Sequence, residues 1–407
     1  MNRVNAHIQA AYPQALARLM THLKTIDCAE EYLQVAVEKA LFNWPKNLPD
    51  SPAAWLIRVA LNKYIDHYRI EQKKVSLEAL PEPTLLPDLN EQALLLSYND
   101  DLLRLIFTCC HPALNQQTQI ILALKHVLGL SITQIASALV INETTLEQRL
   151  LRAKKKISSN QIPYQTPSCK DWPTRLASVL KTIYLLFNEG YFPSDNQISI
   201  HDERCKEAIR LARLLDQCIK NDAEVKGLLA LLLQQDARSP ARISAQGNFV
   251  LLDQQNRHLW KQKNIQEGNI LAEKAIKMGK GTPYALQAAI ASLHNNAVSS
   301  EQTDWLQIYQ LYQLLIQQDP NPVIQLNAAI ALAKSGHPQT AIEQVKQLAE
   351  QLDGYRHYYT SLAGLYFDNG QFQLALEHYQ IAQTRQRRHI EKSFIINRIL
   401  QCQQQLF

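Results

Sequence analysis

Residues 129–156, GLSITQIASALVINETTLEQRLLRAKKK, constrain the fold of this chain more than any other stretch. Ile132, Ile135, Ala136 and Leu139 recur at helical spacing and form one apolar stripe. Ser131 is placed to cap its start. Val140 and Ile141 interrupt the period, and Asn142, whose short side chain can accept from free amides a turn later, is placed to cap a second helix. Glu143 then sits at the positive end of that helix's dipole. Leu146, Leu150 and Ala153 make its inner stripe, leaving Thr144, Thr145, Glu147, Gln148, Arg149 and Arg152 outside. The stretch predicts helix, tight turn, helix, with an outer face of the kind a DNA major groove meets. A helix pair with a basic end also serves as plain packing in helical proteins, so the rest of the chain must decide.

At 407 residues the chain has room for roughly two to four domains. Eleven glycines are few for that length, and the abundance of Leu, Ala, Ile and Gln favours an all-α fold. The net charge of +5 is too mild to indicate nucleic acid by itself, so the distribution of cations matters more. No apolar run approaches the ~20 residues of a membrane span, and the N-terminus lacks the order of a signal peptide. These features predict a cytoplasmic protein with no membrane partner. Seven cysteines, an odd number scattered from Cys28 to Cys402, make no disulfide framework and suit a reducing compartment. In Cys109-Cys110-His111 adjacent side chains point apart and no second pair lies at ligand spacing, and His201 with Cys205 lacks further cysteines, so no metal or cofactor is expected.

Residues 15–41 read as helix with few breaks, ending at Phe42-Asn43-Trp44-Pro45. Pro45, Pro49 and Pro52 mark a loop. A helix from Ala53 follows, with Leu56, Val59, Ala60, Ile65 and either Tyr64 or the stem of Lys63 inward. Its outer face mixes Arg58, Lys63, Arg69, Lys73 and Lys74 with Trp55, Asn62, Tyr64 and Tyr68. Cations beside flat rings are what melted DNA requires, pairing with phosphates and stacking on bases.

The set Trp44-Pro45, Pro52-Ala53-Ala54-Trp55-Leu56, Asn62, Asp66 and Arg69 resembles region 2 of an extracytoplasmic-function sigma factor, a branch of the sigma-70 family. Residues 129–156 resemble region 4 of the same family, and the order and spacing of the two, with no region 3 between, are also similar to it. The resemblance implies that Glu30, Glu31 and Gln34 dock on the beta-prime clamp helices of core RNA polymerase. It implies that the loop of Asn43, Trp44 and Asn47 holds a flipped minus-10 base, whose extrusion costs a few kcal/mol that stacking and hydrogen bonds must offset. Trp55, Arg58, Asn62, Lys63 and Arg69 would then support strand opening. Val35 stands where the family usually has Glu, and Leu61 where Arg is common.

Pro81, Pro83 and Pro87 with Glu78, Glu82 and Asp88 predict an extended acidic linker. Beyond it, residues 101–114 are similar to the lead-in of a sigma subgroup with a long C-terminal extension. In that frame Arg149, Arg152, Lys154, Lys155 and Lys156 contact phosphates around the minus-35 element, while Glu143, Thr144, Thr145 and Gln148 are base-reading candidates. The beta flap of polymerase is the second core contact that the resemblance implies.

After breakers at Pro163, Pro167 and Pro173 the chain continues as helices. Asn188, Glu189, Asp236, Arg238, Arg242 and His258 are the polar residues from which a catalytic site would have to be built. No nucleophile pairs with a base at a recognisable spacing and no phosphate loop is present, so an enzyme is not expected and buried contacts between helices account for these residues better. Tyr359, Leu362, Ala363, Tyr366, Gly370, Ala375, Tyr379 and Ala382 fall on the size-restricted positions of a tetratricopeptide repeat. Ala328, Ala329, Leu332, Gly336, Ala341, Val345 and Leu348 repeat the pattern one period earlier, and Tyr312, Leu315 and Pro320 match its second half before them. Such repeats present a groove for a protein or ligand.

The expected organisation is region 2 over 1–75, linker over 76–99, region 4 over 100–160, helical extension over 168–280 and repeats over 281–407. The function expected is an alternative sigma factor that brings core RNA polymerase to promoter DNA and carries a regulatory extension. The rivals are a helix-turn-helix regulator acting without polymerase, with a repeat-type sensor, and a repeat scaffold whose N-terminal helices bind only protein.

Overall fold

In the computed structural model, residues 2–23, 26–74, 102–159, 167–194, 202–244, 250–279, 281–355, 357–385 and 389–406 are described. The prolines at 81, 83, 87 and 163, with Glu78, Glu82, Asp88, Asp101 and His201, lie outside them. Among the described residues the fold is all-α, with no strand. Two compact units, Met1–Glu189 and Gly190–Phe407, divide the chain.

The first unit opens with α1 (Asn2–Leu23), α2 (Ile26–Asn43) and α3 (Pro52–Lys74), which pack pairwise. Where the sequence predicts one helix over 15–41, the structure has two, because α1 and α2 each turn an apolar stripe onto α3. Ala15, Leu16 and Leu19 of α1, Leu33, Ala36 and Ala40 of α2, and Leu56 and Ala60 of α3 are fully buried. Leu61 joins this core at 2% exposure, which is why an apolar residue stands there.

The second module begins with α4, residues 102–109, then α5 (Gln116–Leu122), whose N-terminus is capped by Asn115 accepting from the Thr118 amide at 2.9 Å. Helix α5 runs into a π turn, Ala123–Val127, in which the Leu128 amide donates to the Ala123 carbonyl at 3.0 Å. Gly129, at φ +67°, occupies the left-handed region that glycine adopts without steric cost. Helices α6 (Ile132–Leu139) and α7 (Glu143–Ser159) follow.

Helix α8 (Trp172–Tyr191) docks on this module where the sequence reading begins a separate extension at 168. Trp172 stacks on Phe107 with ring centroids 4.5 Å apart. Arg175, buried, donates from Nη1 to the Phe107 carbonyl at 2.9 Å. Ser178 Oγ donates to Oε1 of buried Gln119 at 2.5 Å, and Gln119 Nε2 donates to the carbonyls of His111 and Leu114, each at 2.9 Å. The unit boundary accordingly falls in the last turn of α8.

The second unit contains α9 (Asp202–Cys218), α10 (Ala223–Ala237), α11 (Gln262–Gly279) and α12 (Pro283–Asn296), with α10 packed on the other three. Gly227 lets α12 approach closely, since a Cβ there would meet the Ala285 backbone nitrogen at 2.5 Å. Helices α13 (Trp305–Gln318), α14 (Pro322–Lys334), α15 (Pro338–Gln347), α16 (Tyr358–Asp368), α17 (Phe372–Arg385) and α18 (His389–Leu406) complete it. The α14–α15 and α16–α17 hairpins repeat each other. Gly336 (φ +102°) and Gly370 (φ +73°) make their turns, and Ala329, Leu332, Ala341, Val345 and Leu348 share one core with Ala363, Tyr366, Ala375, Tyr379 and Ala382.

Candidate nucleic-acid interface

The helix-turn-helix is built by local chemistry. Ser131 caps α6 by accepting from the Gln134 amide at 3.2 Å, and the Gln134 side chain returns a bond to the Ser131 amide at 3.0 Å. At the other end the Ile141 amide donates to Ala136 and the Val140 amide to Ser137, a two-bond helix stop with Val140 in the left-handed region at φ 54°. Asn142 accepts from the Thr145 hydroxyl at 3.0 Å, while Leu146, fully buried, anchors α7.

On α7 the residues Thr144, Gln148, Arg152 and Lys155 are exposed and fall along one stripe, with Glu143 at the helix start. This face carries base-edge donors and acceptors toward the N-terminal end and cations toward the C-terminal end, the order a recognition helix needs. Thr145 is half-buried. Arg149 is half-buried as well, and its buried Nη1 meets no partner among the described residues. Two of the expected phosphate ligands are otherwise engaged in this structure. Lys156 Nζ donates to the Ala113 carbonyl at 2.6 Å, and Lys154 Nζ lies 3.8 Å from Glu30. Leu151, 71% exposed beside Arg152, escapes a reading that assigns only polar residues to this face. An apolar side chain there can meet a thymine methyl group.

Glu30 corrects one expectation. Glu31 and Gln34 stand exposed on α2, but Glu30 is half-buried and hydrogen-bonded to Nδ1 of His126 in the π turn. Burial pushes its carboxyl up, but the His126 hydrogen bond and the charges of His126, Lys154 and Lys125 outweigh this and leave it below the ordinary carboxylate range. Burial, with the Glu30 charge adding, pushes the neighbouring Tyr12 phenol up to about 12.

In the first module Arg58, Asn62, Lys63 and Arg69 are exposed on α3, and Asn43 and Asn47 are exposed in the loop before it. Asn43 Nδ2 donates to the Lys39 carbonyl at 2.9 Å. Trp44 does not present its ring for base capture. It is 3% exposed and packs edge-on against half-buried Trp55 at 5.5 Å, so it belongs to the core. The exposed ring is Phe42, 72% exposed with the Lys46 ammonium 5.0 Å above it, two residues before the aromatic to which the sequence points. Once Trp44 faces inward, Phe42 at the end of α2 must face elsewhere.

Cys109 and Cys110 are core residues, and burial pushes the Cys109 thiol up to about 12. His111 Nδ1 accepts from the Ala113 amide at 3.2 Å. Of the polar residues in the extension, Asp236 binds Lys261 at 2.9 Å and Asn264 at 2.7 Å, and Arg242 donates to the Tyr191 carbonyl at 3.1 Å while lying over the Tyr191 and Phe192 rings. Glu189 is buried and His258 is exposed. No described helix is long and apolar enough to cross a membrane.

Residues 104–157 match the family model for sigma-70, region 4, which spans the lead-in helix and the helix-turn-helix. Residues 175–276 match a family of unknown function designated DUF6596. The chain is also 42% identical over 370 residues to uncharacterized protein R00370 of Rhizobium meliloti (strain 1021), covering 89% of this chain and 87% of that one. The polar stripe on α7 thus lies in a sigma-70 region 4 domain, and the chain as a whole belongs to one family with the Rhizobium meliloti protein.

Proposed function

We propose that this protein is an alternative sigma factor of the extracytoplasmic-function class. It binds core RNA polymerase through the clamp helices and beta flap, and directs initiation at promoters with two elements. The observation that carries this reading is the exposed stripe of Thr144, Gln148, Arg152 and Lys155 on a capped recognition helix, within a region matched as sigma-70 region 4. A separate three-helix module precedes it and exposes Arg58, Asn62, Lys63 and Arg69, the arrangement a melted strand requires. Glu31 and Gln34, exposed on α2, are the polymerase contacts in this reading. Asn43 and Asn47, with Phe42 in place of Trp44, hold the minus-10 base. The hairpins α14–α15 and α16–α17 act as tetratricopeptide repeats and regulate the factor by binding a protein or ligand. Region 2 is assigned to 1–75, the linker to 76–99 and region 4 to 100–160, with α8 added as a supporting helix.

The test is transcription in vitro with purified core enzyme on a library of genomic promoter fragments. Added protein should yield discrete start sites that core alone does not, and Arg152→Ala with Lys155→Ala should reduce them. Tight sequence-specific DNA binding by the free protein without any initiation would replace this reading with that of a regulator acting without polymerase.

A further inference from the structure

Three cationic or potentially cationic side chains of the second unit gather where α10 and α12 both end. Arg238 follows the last turn of α10, Arg257 sits on a short helical turn, and His294 lies in the last turn of α12. Arg257 is accounted for: its Nη1 donates to the His294 and Ala297 carbonyls at 2.8 and 2.7 Å, and its guanidinium lies 4.6 Å over the Trp260 ring. Arg238 is not. Its Nε is buried and meets no hydrogen-bond partner among the described residues. The carboxylate closest to it in sequence, Asp236, is held by Lys261 and Asn264. Glu301, in open solvent and hydrogen-bonded to Ser299, has its charge directed at Arg257 and not at Arg238.

A buried guanidinium nitrogen without an acceptor is costly, because the donor loses its water without replacement. The same surroundings act on their neighbours. Burial, followed by the charges of Arg238 and Arg257, pushes His294 down to about 4, so its ring is neutral at physiological pH. Burial and the Arg238 charge likewise lower Arg242. The Arg238 charge disfavours that of Arg257, with Glu301 acting the other way on Arg257, and an arginine fork matches the two oxygens of a carboxylate or phosphate.

We propose that Arg238, with Arg257 and His294 beside it, anchors a binding site for a small oxyanion, the phosphate or carboxylate group of a soluble ligand. The anion supplies the acceptor that Arg238 Nε lacks and offsets the repulsion between the Arg238 and Arg257 charges.

The experiment uses the full-length protein titrated calorimetrically with sodium phosphate and, separately, sodium succinate, each against sodium chloride at matched ionic strength. Wild type should bind at least one of the two saturably, and which one saturates identifies the chemical source. Arg238→Gln should weaken that binding at least tenfold, and Arg238→Lys, which keeps charge without the fork, should fall between them. In chloride alone Arg238→Gln should melt at or above the wild-type temperature, since an unmatched cation has been removed. Failure of both anions to saturate, equal affinity of wild type and Arg238→Gln, or a lower melting temperature of Arg238→Gln in chloride would each overturn the proposal. The last result would mean that Arg238 has a structural partner instead.

Discussion

Replacing Gln119 by Leu tests whether α8 is a working part of the region 4 domain. The Gln119 amide makes three bonds: to the carbonyls of His111 and Leu114 and from the Ser178 hydroxyl. Each such bond is worth about 1 kcal/mol net, and a buried group left unpaired costs more. The His111 carbonyl keeps the Leu114 amide at 3.0 Å, and Ser178 can turn its hydroxyl to a carbonyl one turn back in α8, so part of the loss is recovered. The expected cost of Gln119→Leu is about 3 kcal/mol, or roughly a hundredfold in the local opening equilibrium. Ser178→Ala alone should cost about 1 kcal/mol, with a coupling of similar size in the double-mutant cycle. Hydrogen exchange of the full-length protein, followed in peptides from α5 and the first half of α8, reads both. If Gln119→Leu changes exchange in these peptides by less than about threefold, α8 is not held where the geometry places it.

Val140→Gly should raise stability by about 1 kcal/mol in urea unfolding, because a β-branched residue at φ 54° is strained and Val140 is 73% exposed, with little packing to lose. The Glu30 carboxyl is depressed in the folded protein, so its contribution to stability is present above the unfolded carboxylate pKa and is lost as pH falls through its lower folded value. Glu30→Gln should therefore reduce protection of the Ala123–Val127 turn at pH 7 and flatten its acid dependence, both read by hydrogen exchange at a series of pH values. Arg152→Ala and Lys155→Ala should each flatten the salt dependence of promoter binding by about one phosphate contact, whereas Gln148→Ala should change sequence preference; an unchanged slope would remove α7 from the DNA.

What is legible in the chain is what local chemistry decides. The cap at Ser131 and the break at Val140 rest on residues a few positions apart, and the 34-residue recurrence from Gly336 to Gly370 on a repeated pattern of small and large residues. The exposed stripe of α7 comes from periodicity alone. What escapes depends on which distant surface a face meets. Trp44 sits in a proline-flanked loop and reads as a free ring, yet Trp55 on the next helix closes over it. Glu30 shares α2 with exposed Glu31, and only the fold brings His126 to it. The Ser178–Gln119 bond spans 59 residues, so no window along the sequence contains both partners.

The π turn at Ala123–Val127 amounts to one residue more than an α-helix would need over the same span. Each residue added to a helix rotates the downstream chain by about 100°. The turn has already absorbed that residue, so a further residue inserted beside Ala123 would rotate the chain beyond it by this angle and carry His126 away from Glu30, while Gln119, upstream, keeps its bonds. The contact between the first and second modules therefore depends on chain length within this helix as well as on side-chain identity. A single-codon insertion, changing no side chain, is expected to uncouple them.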